Sequence, residues 1–468
     1  MNRTGRFACL CVILPFLFSC AVGPDYKRPD ASDITPADWR FKTAEPKDAV
    51  PKGEWWKVFD DTVLEGLEKG AVADSQNLRA AVARVDEARA AARVSRSRFF
   101  PEVSLDPSFE RQLTSGNLPT PIPVRIPASY VNTFSAPFDM SYEVDLWGRV
   151  RRSFEGTRAD AEASVADYQN VLLTLTADIA VNYFLLRSLD AQVMVLDRTV
   201  ESREESVSIL NARCLAGSTP ETDVDRARTQ LADARADLAD LVRQRTETLN
   251  AIALLCGKPA SSFEIPKLPL IASPPVVPSG LPSSLLERRP DIARAERTLA
   301  TKNAQIGVAK AAYFPALSLT GQAGYLSNTA RTMFLDSSEI WSIGPSVTMP
   351  LFNAGRTAAQ VRQAEATYAE FLADYRQTVL TAFKEVEDAL AQVTLLNKQV
   401  AARAEALASA KRVTELVGVR YEAGAVTYLD VVDAEERQLE QESTKTQIEG
   451  QRFAATVRLI KALGGGWD

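Results

Sequence analysis

The chain has 468 residues, 46% of them hydrophobic and 24% charged, with 54 basic against 60 acidic side chains. That composition is globular with a mild negative balance, so neither a disordered chain nor a nucleic-acid surface is expected. Histidine is absent, which excludes Ser-His-Asp chemistry and removes the commonest general base and metal ligand. The one phosphate-loop-like stretch, Gly257-Lys258, runs into Pro259 where Ser or Thr is required, so no nucleotide site is read there. No enzyme, no metal and no cofactor is expected.

In chain order, Arg3 and Arg6 precede an apolar run from Phe7 to Phe18, which predicts a signal peptide over residues 1–19. The residues LFSC at 17–20 resemble the bacterial lipobox, in which the cysteine becomes the lipidated first residue of the mature chain. Ordinary cleavage nearby, with a free Cys20 thiol, is the alternative. A lipidated Cys20 carries several acyl chains, enough for durable anchoring, and would head an extended, lipid-anchored segment over residues 20–60. Cys9 and Cys11 leave with the signal, and Cys214 and Cys256 remain. If 221–255 is one helix, those two thiols are about 50 Å apart and cannot form a disulfide.

The rest of the chain falls into two similar parts, 61–264 and 285–468, separated by a proline-rich linker at 265–284 that can be neither helix nor central strand. RFFPEVSL at 98–105 answers YFPALSL at 313–319, DLWGRV at 145–150 answers PLFNAGR at 350–356, and LLCG at 254–257 answers KALG at 461–464. RCLAGSTPETDVDRA at 213–227 answers RYEAGAVTYLDVVDA at 420–434, in the same order, so an internal repeat is predicted. Each part reads as helix, hairpin, very long helix, sharp turn and long helix.

The hairpins carry period-two alternation. Phe138, Met140, Tyr142, Val144 and Leu146 alternate with Asp139, Ser141, Glu143 and Asp145, and the stretch 102–110 is read as the partner strand. Trp341, Ile343, Val347 and Met349 do the same in the second part. Strands with one apolar and one polar face suit a membrane barrel with a wet lumen; a one-sided soluble sheet gives the same pattern. From Gly355 to about Tyr421 no proline interrupts, and apolar residues recur about every 3.5 residues, the spacing of a coiled coil. Leu372, Leu380, Phe383, Leu390 and Leu395 form a second seam, as a helix in the wall of a tube requires; a helix buried in a larger bundle is the alternative. Four strands cannot close a barrel without leaving edges unpaired in lipid, so the chain is expected to oligomerise. Three copies would supply about twelve strands, within the range of outer-membrane barrels.

From CAVGPDYKRP at 20–29 through RRPDIARAE at 288–296 to ALGGGW at 462–467, the chain resembles the TolC/OprM-type outer-membrane factors, in particular their NodT-like efflux lipoproteins. The resemblance implies a mainly α fold with a membrane β-barrel. Its parts are a trimeric twelve-stranded barrel, four strands per chain, and a twelve-helix periplasmic coiled-coil tunnel continuous with it. It implies an outer-membrane channel of a tripartite efflux system that passively conducts substrates from an inner-membrane pump and periplasmic adaptor to the exterior. The paired motifs are then the periplasmic-tip turns, with Gly217 and Gly424 reversing the chain where the adaptor docks. Asp430 and Asp433 match an acidic ring at the entrance, and Tyr421, Thr222 and Asp223 match a polar gate network. The arginine that this turn carries in TolC corresponds here to Val426. A structural periplasm-spanning coiled-coil lipoprotein without channel activity is the alternative of a different class.

Overall fold

The computed structural model describes residues 21–31, 33–36, 38–40, 53–116, 127–270, 273–277 and 288–465. The expected signal peptide, Cys20 and the final Trp467 lie outside the described residues. The chain divides into two compact units. One takes in Val85–Ser164 and Ala295–Tyr375 with the N-terminal residues to Pro29; the other takes in Asp30–Arg84, Val165–Arg294 and the chain from Arg376 onward.

In chain order the helices are α1 (Thr62–Asp74), α2 (Gln76–Ser97), α3 (Arg149–Leu215), α4 (Glu221–Leu255), α5 (Pro290–Ala311), α6 (Arg356–Glu422) and α7 (Tyr428–Ala462). The α3 and α6 helices have 67 residues each, and α4 and α7 have 35 each. At 1.5 Å per residue these are rods of about 100 and about 50 Å. Their ends are written locally. Asp61 caps α1 by accepting from the Val63 and Leu64 amides at 2.9 and 3.0 Å, and α4 and α7 stop at Gly257 and Gly464, both at positive φ.

The first unit holds the sheet. Strands β1 (Glu102–Leu105), β2 (Ser108–Thr114), β3 (Ser129–Val144), β4 (Ala316–Ser327) and β5 (Glu339–Thr348) are antiparallel, in the order β1-β3-β4-β5, with β2 also on β3. The expected single strand over 102–110 is instead two segments. Glu102–Leu105 faces Phe138–Ser141, and Ser108–Thr114 faces Ser129–Ser135. Pro107 between them has no amide to donate, so the ladder breaks there and resumes. The register stacks Val103 on Met140, Phe109 on Phe134, Tyr142 on Leu319 and Leu319 on Pro345 on one face, and Ser104, Asp139, Gln322 and Ser342 in a row on the other. Among the described residues the outer edges of β1/β2 and of β5 pair with no strand. The N-terminal segment closes on this unit through the Val22 amide, which donates to the Trp147 carbonyl at 2.9 Å, and through Asp25, which pairs with the buried Arg152 at 2.6 Å.

The second unit has an apolar core of Trp55, Leu64, Ile179, Tyr183, Phe184, Ile252, Phe453 and Ile460. Here α3 and α7 cross so closely that a Cβ on Gly450 would lie 2.4 Å from that of Ser188. The RRPD sequence has a structural task in the same unit: buried Arg289 donates to the Ala462 carbonyl at 3.0 Å, completing the C-terminus of α7, and pairs with Asp291 and Glu385. The predicted first seam of α6 is buried at Val379, Ala382, Val386 and Ala389; of the second seam Phe383 and Leu390 are buried, whereas Leu380 and Leu395 stay exposed.

Candidate functional site

The two paired motifs form two turns of one design. At the end of α3, Gly217 takes φ 71°, its amide donates to the Cys214 carbonyl at 2.9 Å, and the Ser218 amide donates to the Arg213 carbonyl at 2.9 Å. At the end of α6, Gly424 takes φ 73°, its amide donates to Tyr421 at 2.9 Å, and the Ala425 amide donates to Arg420 at 2.8 Å. This is the Schellman closure, which satisfies the last carbonyls of the helix and requires a left-handed residue. Among the described residues nothing lies within 4 Å of where a Cβ on either glycine would sit. Glycine is there for the backbone and not for space.

The returning helices start differently. The α4 helix begins after Pro220, whose fixed φ suits the position before the first turn, and Asp223 in that turn pairs with Arg226 at 3.5 Å. The α7 helix begins with a capping box: the Thr427 amide and hydroxyl donate to the Asp430 carboxylate at 2.8 and 2.7 Å. The Thr427 hydroxyl bond, then the amide bond, hold the Asp430 carboxyl below the ordinary carboxylate range. Asp433 is exposed one turn further on, and Thr222 is exposed at the start of α4. Val426 is half-buried in the turn.

A small apolar cluster ties the two hairpins together. Leu210, Val224, Ala227, Tyr428 and Val432 are buried, with Val207, Cys214, Tyr421 and Val431 packed against them. The Tyr421 and Tyr428 rings lie 5.8 Å apart at 56°. Burial pushes the Tyr428 hydroxyl up to about 12, and burial also raises the Glu435 carboxyl, opposed by Arg203. A cleft of about 270 Å³ in the same unit has a mixed lining, polar at Arg198, Ser202, Arg203, Thr414, Glu435 and Gln438 and apolar at Val195 and Leu439. Of the residues singled out from sequence, Tyr421 joins the cluster, Asp223 stands beside buried Tyr428 and raises its hydroxyl, and Asp430, Asp433 and Thr222 stay on the surface. The sequence reading missed Tyr428 and Val432. Their signal was present as apolar positions four apart just inside a capped helix start.

These features can be set beside known proteins. A family described as outer membrane efflux protein matches the chain twice, over residues 69–258 and 281–465. The pyoverdine export outer membrane protein OpmQ of Pseudomonas aeruginosa is 33% identical over 443 residues, covering 94% of this chain and 93% of OpmQ. The cation efflux system protein CusC of Escherichia coli K12 is 30% identical over 470 residues, covering 97% and 99%. Among solved structures, the outer-membrane channel OprN superposes with a TM-score of 0.88 at 30% identity, covering 96% of this chain and all of OprN.

Proposed function

The chain belongs to the outer membrane efflux protein family and is an outer-membrane efflux channel component, and we propose that it works as a homotrimer. In this reading it conducts substrate passively from an inner-membrane pump and a periplasmic adaptor to the cell exterior. Each copy contributes one edge of its sheet to the next, and the closed barrel sits in outer-membrane lipid. The observation that carries the proposal is the open sheet: Trp341 is 77% exposed, Ile343 and Val347 are 66% exposed, and both edges lack a strand among the described residues. In lipid an unpaired edge costs several kcal/mol per polar group, so copies must close on one another. Exposed Leu380, Leu395, Leu416 and Val419 on α6 support a neighbouring helix from another copy.

The remaining parts follow from this arrangement. Residues 1–19 are the signal peptide, Cys20 carries lipid and heads the N-terminal segment to residue 60, and the repeats 61–264 and 285–468 flank the 265–284 linker. The turns at Gly217 and Gly424 face the adaptor. Tyr421, Thr222, Asp223, Asp430 and Asp433 belong to the gate, and with Val426 in the turn its closure relies on the apolar cluster around Tyr428 in place of an arginine latch. The named relatives export pyoverdine and cations, a spread that fits a wide duct whose walls select weakly while the pump selects. Planar-bilayer recording of the purified protein tests the reading: discrete conductance steps are expected, and their absence from trimeric preparations would favour a non-conducting spacer. Fatty-acid labelling that is lost in Cys20→Ser tests the anchor.

A further inference from the structure

The short helix α1 contains a feature that the channel role does not use. Glu68 is fully buried, and among the described residues neither of its carboxylate oxygens has a hydrogen-bond partner. It lies on the buried face of α1 with Leu64 and Ala71, in the core built from Trp55, Trp56, Leu78 and Cys256. An ionised carboxylate in such a place is strongly disfavoured unless paired, so the group stays protonated. The other charged groups of α1 and its cap are engaged elsewhere. Glu65 and Lys69 pair at the surface at 2.6 Å, Asp74 lies 3.7 Å from Arg79, and the cap residue Asp61 accepts the Tyr183 hydroxyl at 2.6 Å. Just past the end of α4 the Cys256 thiol donates to the Leu67 carbonyl at 3.9 Å and is pushed up to about 11, chiefly by burial; Lys258, Glu68 and Asp74 act on that thiol to a smaller degree.

The helix itself is weak. Gly66 and Gly70 lie within α1, and among the described residues nothing comes within 4 Å of a Cβ placed on either. They serve no close packing and leave the helix weaker than alanine would. At its far end α1 breaks at Ser75, whose ψ of 124° leaves the helical region. The segment is therefore an element of low intrinsic stability held down by its buried face.

We propose that α1 is a proton-held clasp: it stays docked while Glu68 is a neutral acid, and ionisation of Glu68 releases it. When α1 opens, its cap residue Asp61 leaves the Tyr183 hydroxyl, whose ring carries the guanidinium of buried Arg187 at 4.7 Å, itself paired with buried Asp190 at 3.1 Å. The direction follows from where the proton is held. Glu68 in the docked helix holds its proton well above the ordinary value of 4.5, whereas in the opened helix it ionises near that value. Docking is thus strongest below about pH 4.5 and weakens as pH rises, by about tenfold in the opening equilibrium per pH unit, until the docked group itself ionises.

Hydrogen exchange of residues 62–74, read by mass spectrometry on the full-length protein in detergent between pH 5 and 9 and corrected for intrinsic rates, tests this. In the wild type, protection of α1 should fall about tenfold per pH unit over part of that range while peptides from the middle of α3 stay level. Glu68→Gln should abolish the slope. Glu68→Met, similar in length and without a polar group to bury, should abolish it as well and should be better protected than wild type at pH 8. Wild-type protection that does not change with pH, or an unchanged slope in both variants, would overturn the proposal.

Discussion

Asp190 is the residue whose loss the second unit should tolerate least. It is fully buried, accepts from Arg187 at 3.1 Å and from Arg245 at 2.6 Å, and also accepts the Leu268 amide of the linker at 3.2 Å. The two guanidiniums reach onward to the linker, Arg187 to the Pro266 carbonyl at 2.6 Å and Arg245 to that of Ile265 at 3.1 Å. One carboxylate therefore neutralises two cations and seats the linker on α3 and α4. Asp190→Asn keeps the shape but removes the charge, and turns an amide donor toward groups that only donate. Removing one partner of a buried pair costs about 3–5 kcal/mol. Because Arg245 is 12% exposed and keeps some hydration, the lower end applies, about 3 kcal/mol, or roughly 160-fold in local opening. Hydrogen exchange over 183–192 and 263–270 should accelerate by that factor. A cycle with Arg245→Met should show the double variant costing about 2 kcal/mol less than the sum of the singles. An Asp190→Asn protein exchanging within threefold of wild type, or an additive cycle, would refute the assignment.

Three further perturbations separate packing, backbone and charge. Gly450→Ala should destabilise the α3–α7 crossing by about 1–3 kcal/mol, and adding Ser188→Gly should restore most of it in a denaturant midpoint; failure of that rescue counts against the close contact. Gly424→Val should strain the turn by about 1–2 kcal/mol, because φ is 73° and nothing else is in the way. Gly424→Asn, which accepts that conformation, should retain adaptor crosslinking where valine loses it, and equal crosslinking in both would detach the turn from docking. Asp430→Asn combined with Asp433→Asn should lower cation preference in single-channel recordings at low salt, an effect that fades as salt screens the field; wild-type selectivity at low ionic strength removes both from the pore.

How much of this was legible depended on whether the signal was local. The 35-residue α4 was readable to the residue because Pro220 and Gly257 punctuate it, and α6 because no proline falls between Gly355 and Glu422. Alternation marked β1/β2, β5 and the second half of β3, where the register puts Val103 on Met140 as a period of two demands, but it ran past the strand ends to Leu146 and Met349, missed the first half of β3 from Ser129, and left β4 to be implied by the repeat. The Pro107 break was overlooked although the proline was visible, because the alternation continues across it. Asp190 and Glu68 were not legible at all. A charged residue three positions from an arginine, or next to a lysine, looks the same whether the helix faces water or the core, and burial here is set by Pro266, Arg245 and Cys256, which are far away in sequence.

The two tip turns show why a repeat in sequence need not mean a repeat in mechanics. Their glycines close α3 and α6 by the same pair of hydrogen bonds, but the helices that follow start on different terms. The start of α7 is pinned, because Thr427 donates twice to Asp430, whereas α4 has Pro220 at its cap position with no side-chain bond. A capping box is worth about 1 kcal/mol, so the first turn of α4 should open more readily than that of α7. Charge divides the same way. Asp430 spends one oxygen on its own helix start, while among the described residues no side-chain bond occupies Asp433, which leaves Asp433 the carboxylate more available to a passing cation. If the acidic ring acts on permeation, Asp433→Asn alone should therefore change selectivity more than Asp430→Asn alone, and the reverse order would mean that the capping bond does not outlast assembly.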